Sequence, residues 1–236
     1  MKSVLDFLRK LRKNNNREWF AANKAEYLTV QSKFNGFAEK LIAAVASMDS
    51  AAGRLTLKDC TYRIYRDTRF STDKTPYKRH MGVFINPPFG KKVNNAGYYV
   101  HLEPDNCFIC GGTIGLDAQI VLAIRKSIFN NIDEYRAIVE AEEFKQLFPV
   151  LGENFLKTYP KGFDKNWEYI NYIRPKDFVA VGHVDDSFFY DDNMLIERLM
   201  PYLRQAQRFN DFLNYTIDDF ILANDFDAKE EIPYIY

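Results

Sequence analysis

The chain opens on a helical pattern. Val4, Leu5, Phe7, Leu8 and Leu11 recur at steps of three and four, the spacing that one face of an α-helix requires. Ser3 stands before them as the expected N-cap. A second helix is expected to start at NNNREWF, where Asn15 and Glu18 have capping-box spacing. Phe20, Tyr27, Val30, Phe34, Phe37, Leu41, Val45 and Met48 continue it, in threes and fours after the first gap. An unbroken helix over 16–47 would be about 48 Å long at 1.5 Å per residue. A helix of that length is expected to lie across a sheet or to bend near Asn35–Gly36. Phe20, Tyr27, Phe34, Leu41 and Met48 also keep heptad spacing, which leaves a coiled-coil partner open.

The pattern then changes period. Residues 60–66, 81–86, 97–103 and 107–112 are short, β-branched or aromatic, and bounded by turn formers, so they are expected as strands. GYYVHLEPDNCFICGG has the form of a hairpin turning at Pro104–Asp105–Asn106. Asp117 should cap a helix with the face Ile120, Val121, Ile124 and Ile128, and another helix should cover 133–147. Residues 148–177 look loop-rich, with a strand at 178–184 after them. A last helical region over 192–215 should restart at Pro201, because proline suits the first position of a helix. Short, closely linked strands favour antiparallel pairing. The expectation is one α+β domain over 1–236, a mainly antiparallel sheet of about five strands packed against several helices.

Composition narrows the function. Apolar residues make up 47% of the 236, enough for a core and too many for disorder. Lys+Arg and Asp+Glu balance at 32 each, so no global field draws nucleic acid or membrane, and any electrostatic role must be local. Residues 216–236 are acidic and are expected as a solvated, frayed tail. Charges interrupt Met1–Asn16, so it does not read as a secretory leader, and no window reaches the ~18 apolar residues of a membrane span. Three cysteines suit a reducing cytoplasm better than a disulfide framework.

The local charge sits in YRIYRDTRFSTDKTPYKR, residues 62–79. If 62–66 is a strand, Arg63 and Tyr65 face one side, and Tyr62, Ile64 and Arg66 the other. The segment after it is a loop that can fold Arg69, Lys74 and Lys78 toward Arg66. Arginine suits bidentate binding of carboxylate or phosphate, and lysine adds compact charge. The expected ligand-binding set is Arg63, Arg66, Asp67, Arg69, Ser71, Asp73, Lys74, Tyr77 and Lys78, with Tyr77 as an orienting donor. Asp67 or His101 would serve if a proton moves. The same residues also fit an internal salt-bridge brace or, with their aromatics, a nucleic-acid contact.

The run RIYRDTRFSTDKTPYK resembles the central signature of a widespread family of bacterial and fungal proteins defined as a domain of unknown function. The likeness covers about 4–215. It includes REWF, GYYVHLEP, PKGFDK at 160–165 and the P–FLN pattern at 201–214. Where that pattern would carry a longer glycine run, this chain has Gly111–Gly112–Thr113–Ile114–Gly115. The resemblance implies one domain and supplies no activity or cofactor.

Other constellations are weaker. Free N–H groups near Gly111–Gly115 could hold a phosphate, although a simple turn explains the glycines. Arg125 could assist an anion or face solvent. Cys107 and Cys110, three apart on a strand, point to opposite faces and cannot easily share a metal; with Cys60 and the scattered His80, His101 and His183 they give no metal site. Three functions therefore stay open: a binder of a small anionic ligand, a nucleic-acid module, and an interaction protein using the long helix and acidic tail.

Overall fold

The computed structural model describes residues 1–87, 89–90 and 95–224. Five antiparallel strands form one sheet in the order β1-β2-β3-β5-β4: β1 (Met81–Ile85), β2 (Gly97–Leu102), β3 (Cys107–Thr113), β4 (Val150–Glu153) and β5 (Asp177–Val184). Eight α-helices accompany it among the described residues: α1 (Lys2–Lys13), α2 (Arg17–Ala22), α3 (Lys24–Ala46), α4 (Leu57–Cys60), α5 (Ala118–Asn130), α6 (Ile132–Val139), α7 (Glu142–Leu147) and α8 (Leu195–Asn224). This is the expected α+β class with an antiparallel sheet. None of the described helices is long and apolar enough to cross a membrane.

Helices cover one face of the sheet. Tyr98, Val100 and Leu102 of β2, Cys107 and Ile109 of β3, and Phe178 and Ala180 of β5 join the helical core. The five apolar residues of α1 are fully buried there, as their periodicity requires. α8 presses closest: a Cβ on Gly111 would lie 2.7 Å from the Ala206 Cβ. Asn210 accepts a 2.7 Å bond from the Gly112 N–H, and Asn214 exchanges two bonds with the Ala96 backbone at 2.7 and 3.0 Å.

Several local expectations are corrected. Met1, not Ser3, precedes α1, and the Met1 ammonium pairs with Asp192. Asn16, not Asn15, caps α2 by accepting from the Trp19 N–H. The long helix breaks at Asn23 and runs straight through Asn35–Gly36 as part of α3. Phe20, Tyr27, Phe34 and Leu41 are buried in this chain's own core, which leaves no free heptad seam. Residues 57–60 form α4, closed by a Thr56–Asp59 capping box, and 61–66 makes only isolated bridges, Thr61 to Val83 and Tyr65 to Tyr77. The fifth strand is instead β4, a short edge with a register shift between Leu151 and Glu153. The helix expected over 133–147 is two helices, α6 and α7.

α8 continues through Pro201. An internal proline costs about 3 kcal/mol, and the buried ridge Leu199, Leu203, Ala206, Phe209, Leu213 and Ile217 offsets it. The helix carries on to Asn224, so the first part of the acidic tail is helical, with Ile217 buried and Asp218 accepting from Asn95 at 2.6 Å. Its remaining acids, from Asp225 onward, lie outside the described residues.

Two glycines test this packing in opposite directions. Gly112 has φ +116°, and a Cβ there would sit 2.1 Å from the Phe178 carbonyl oxygen. Gly112→Ala should lose about 3 kcal/mol from backbone strain and overlap together. Gly36 lies within α3 with nothing within 4 Å of an added Cβ, so Gly36→Ala should gain about 0.5–1 kcal/mol. Urea unfolding of both variants checks the pair.

Candidate functional site

The signature segment is a narrow ribbon closed by a loop. The Arg66 N–H donates to the Pro76 carbonyl at 2.9 Å, and the Lys78 N–H to the Ile64 carbonyl at 2.8 Å. Asn15 pins the ribbon to the body: its amide donates to the Tyr77 carbonyl at 2.9 Å and accepts from the Tyr77 N–H at 3.1 Å. The expected alternation survives without a sheet ladder. Ile64 is buried and Arg66 half-buried, while Arg63 and Tyr65 are exposed. Tyr77 stacks on Phe20 with ring centroids 4.0 Å apart.

Asp73 organises the loop. Its Oδ2 takes the Arg66 guanidinium at 2.8 Å and the Arg79 guanidinium at 3.2 Å, and its Oδ1 accepts the Thr75 N–H at 2.9 Å. Ser71 accepts from Arg66 at 3.3 Å. Asp67 grips Arg69 through three side-chain bonds of 2.6, 3.0 and 3.1 Å. Lys74 donates to the Thr68 carbonyl at 2.9 Å.

A pocket of about 310 Å³ opens between this loop and the end of β2, lined by Arg66, Asp67, Asp73, Lys78, Arg79, His80 and Glu103. Four of the nine expected site residues therefore meet: Arg66, Asp67, Asp73 and Lys78. Ser71 supports them through Arg66. Arg63, Arg69, Lys74 and Tyr77 do not line the pocket. Arg79, His80 and Glu103 were missed by the sequence argument. Arg79 closes the same basic run, and Glu103 shares a strand face with His101, so both carried a signal.

The three histidines are not scattered. His101 and Phe108 are cross-strand partners, as are Phe108 and His183. The His80 ring lies 4.5 Å from that of His101, His101 stacks on Phe108 at 4.3 Å, and His183 meets Phe108 edge-on at 5.6 Å. Tyr99 and Glu103 flank His101 on the same strand face, as alternation requires. The Tyr99 hydroxyl is 2.8 Å from Nδ1, and Glu103 Oε2 is 3.4 Å from Nε2. Burial pushes the Tyr99 phenol far above its ordinary range, so it stays protonated, and Glu103 can only accept from the ring.

Asp67, Asp73, His80 and Glu103 of this pocket are all shifted downward. Arg69 holds Asp67 at about 2. The Thr75 N–H and hydroxyl, with Arg66, hold Asp73 at about 2. Burial, then the neighbouring His101 and Lys78, push His80 down to about 3. The hydrogen bond from His101 lowers Glu103. A general acid or base works best with its pKa near the working pH. Asp67, doubly engaged by Arg69, is therefore a poor base, and His101 is enclosed with both ring nitrogens occupied. The arrangement holds the Asp67 and Asp73 carboxylates ionised and His80 neutral at neutral pH.

The other constellations serve the fold. Gly111 and Gly112 belong to β3, and the Gly112 and Gly115 N–H groups are taken by Asn210 and Asp177. Arg125 donates to the Ile173 and Pro175 carbonyls at 2.7 and 2.8 Å, tying α5 to the loop before β5. Burial raises both the Cys107 and Cys110 thiols. No group of three or more His, Cys, Asp or Glu suited to a metal ion occurs among the described residues.

His80 gives a pH test. The unfolded imidazole takes a proton near pH 6.5, the folded one only near 3. Below pH 6.5 the unfolded chain binds the extra proton, so stability falls with pH down to about 3 and is unaffected above 6.5. Between pH 6.5 and 5 the loss should be about 1.5–2 kcal/mol. Urea unfolding at both pH values measures it, and His80→Phe should show a correspondingly flatter profile.

No curated protein and no solved structure matches the chain. A family model does, over residues 3–212, and the chain belongs to the conserved hypothetical protein family DUF2461.

Proposed function

We propose that the pocket beside the signature loop binds a small anionic ligand, carboxylated or phosphorylated, through Lys78, Arg79 and Arg66. The observation that carries this reading is the shared grip of Asp73 on Arg66 and Arg79 at 2.8 and 3.2 Å, which holds two guanidinium groups at one wall of a cavity before any ligand arrives. Such pre-organisation lowers the ordering cost of binding.

The charge count sets the kind of ligand. Arg66, Lys78 and Arg79 face Asp67, Asp73 and Glu103 around the cavity, and Asp67 is engaged by Arg69 at its own side. A balanced rim suits a single small anion recognised by directed bonds. A polyanion such as nucleic acid is drawn instead by a broad unbalanced field. The depressed carboxylates and neutral His80 favour binding without proton transfer at neutral pH. Three cysteines, none of them in a disulfide, fit a protein of the reducing cytoplasm.

Thermal shift with inorganic phosphate, acetate, citrate and sugar phosphates tests the reading. A ligand at a hundred times its dissociation constant adds about 2.7 kcal/mol of stability. Lys78→Gln should weaken binding by about tenfold or more, the loss of one charge-assisted bond, while Arg69→Ala should leave binding unchanged. Absence of any shift, with Arg66→Gln and Asp73→Asn both melting early, would make the loop a structural brace.

A further inference from the structure

The face of the sheet away from the helices is not simply solvated. It carries a second cavity of about 280 Å³, floored by alternate residues of four strands: Phe84 of β1, Tyr99 of β2, Phe108 and Cys110 of β3, and Val181 of β5. Phe84, Tyr99, Val179 and Val181 are buried, yet they stand apart from the helical core. This apolar cleft is therefore built by the same period-two alternation that fills the core on the other side. Aromatic and aliphatic walls with few polar groups are the usual lining of a small-molecule site.

The cleft adjoins the charged pocket. Glu103 lines the pocket and Asn106 lines the cleft, and the Asn106 amide donates to Glu103 at 2.9 Å. The rings of His80, His101 and Phe108 lead from one cavity to the other with centroid steps of 4.5 and 4.3 Å. The cleft is also polarised along β3. Its Thr113 end carries the carboxyl of Glu153, whose partner across the sheet is Asp177, while its Asn106 end leads to the pocket that holds Arg66, Lys78 and Arg79. An anionic head is disfavoured at the Glu153 end and finds its cations in the pocket.

We infer that the cleft and the pocket are two halves of one site for a small amphipathic anion, with a ring-sized apolar body on Phe108, Tyr99 and Val181 and a carboxylate or phosphoryl head at Lys78 and Arg79. The inference rests on the anion pocket proposed above and adds the chemistry of the rest of the ligand. Direction is set by charge, and affinity by the apolar body. Burial of each methylene-sized unit should tighten binding about fourfold.

The test is calorimetric titration with 2-naphthoate, acetate, inorganic phosphate and the neutral 2-naphthalenemethanol, on the wild-type chain and on Arg79→Gln. Nuclear Overhauser contacts between naphthyl protons and the Val179 and Val181 methyls are recorded alongside, so the result does not depend on a cleft variant folding. The expected result is naphthoate binding at least tenfold tighter than acetate, about tenfold weaker binding of the alcohol, the same weakening of naphthoate in Arg79→Gln, and contacts to both valines. Binding of acetate or phosphate with no gain for naphthoate and no valine contacts would overturn the two-part site and leave the anion pocket standing. Equal binding of naphthoate and the alcohol, insensitive to Arg79→Gln, would overturn both readings and leave a plain apolar cleft.

Discussion

The close approach of α8 to Gly111 and Gly112 decides how the sheet is used. A helix of side chains cannot come that near unless the strand beneath it gives up its own, and a Cβ on Gly111 would already meet Ala206 at 2.7 Å. Asn210 and Asn214 complete the contact by bonding backbone groups of 112 and 96 that the helix would otherwise bury unpaired. With α8 seated on this face, strand alternation sends Tyr98, Val100 and Ile109 into the core and Tyr99, His101 and Phe108 to the other side. The polar chemistry of the chain thus collects on one surface because the helices occupy the opposite one.

The signature loop solves a different problem. A segment with six basic residues and two acids would repel itself if each charge stood alone. Asp73 draws Arg66 and Arg79 together, Asp67 takes Arg69, and Lys74 caps the Thr68 carbonyl. The pairs are partly exposed, and exposed ion pairs contribute only about 0–1 kcal/mol each. Their effect on shape is larger than their effect on stability. The covalent order of the loop and the Asn15 clamp on Tyr77 put the guanidiniums at one wall, and Asp73 holds them there.

Much of the fold was legible because period and burial agree. The faces of α1, α3 and α5 and the hairpin β2–β3 follow directly from their apolar spacing. Failures came where composition and pairing part company. Residues 60–66 are β-rich, yet α4 takes Cys60 and the rest makes only the isolated bridges of Thr61 to Val83 and Tyr65 to Tyr77, with no ladder. β4 is four residues with a glycine at φ +77°, too short and irregular for a periodic signal. Pro201 has the local chemistry of a helix start, and only the buried ridge of α8 overrides it. At the site, charge type was readable and charge pairing was not. Arg69 and Lys74 differ from Lys78 only in where the loop turns them, and the row His80–His101–Phe108–His183 joins three strands and the residue before β1.

That row changes what the brace means. A loop stabilised only for its own sake needs no relation to the sheet, yet the pocket it forms ends on His80 and Glu103, and both touch His101. Burying His101 beside two other rings and a carboxylate costs desolvation, and Tyr99 and Glu103 supply the partners that offset it. An apolar residue at 101 would fill the same space without needing either partner. The polar choice keeps a carboxylate oriented at the mouth of a cavity whose other wall is cationic, and it places flat rings between that mouth and the apolar cleft. A brace explains Asp73 and its arginines. It leaves the His101 row unexplained, and the proposed ligand site spanning loop and sheet would account for both.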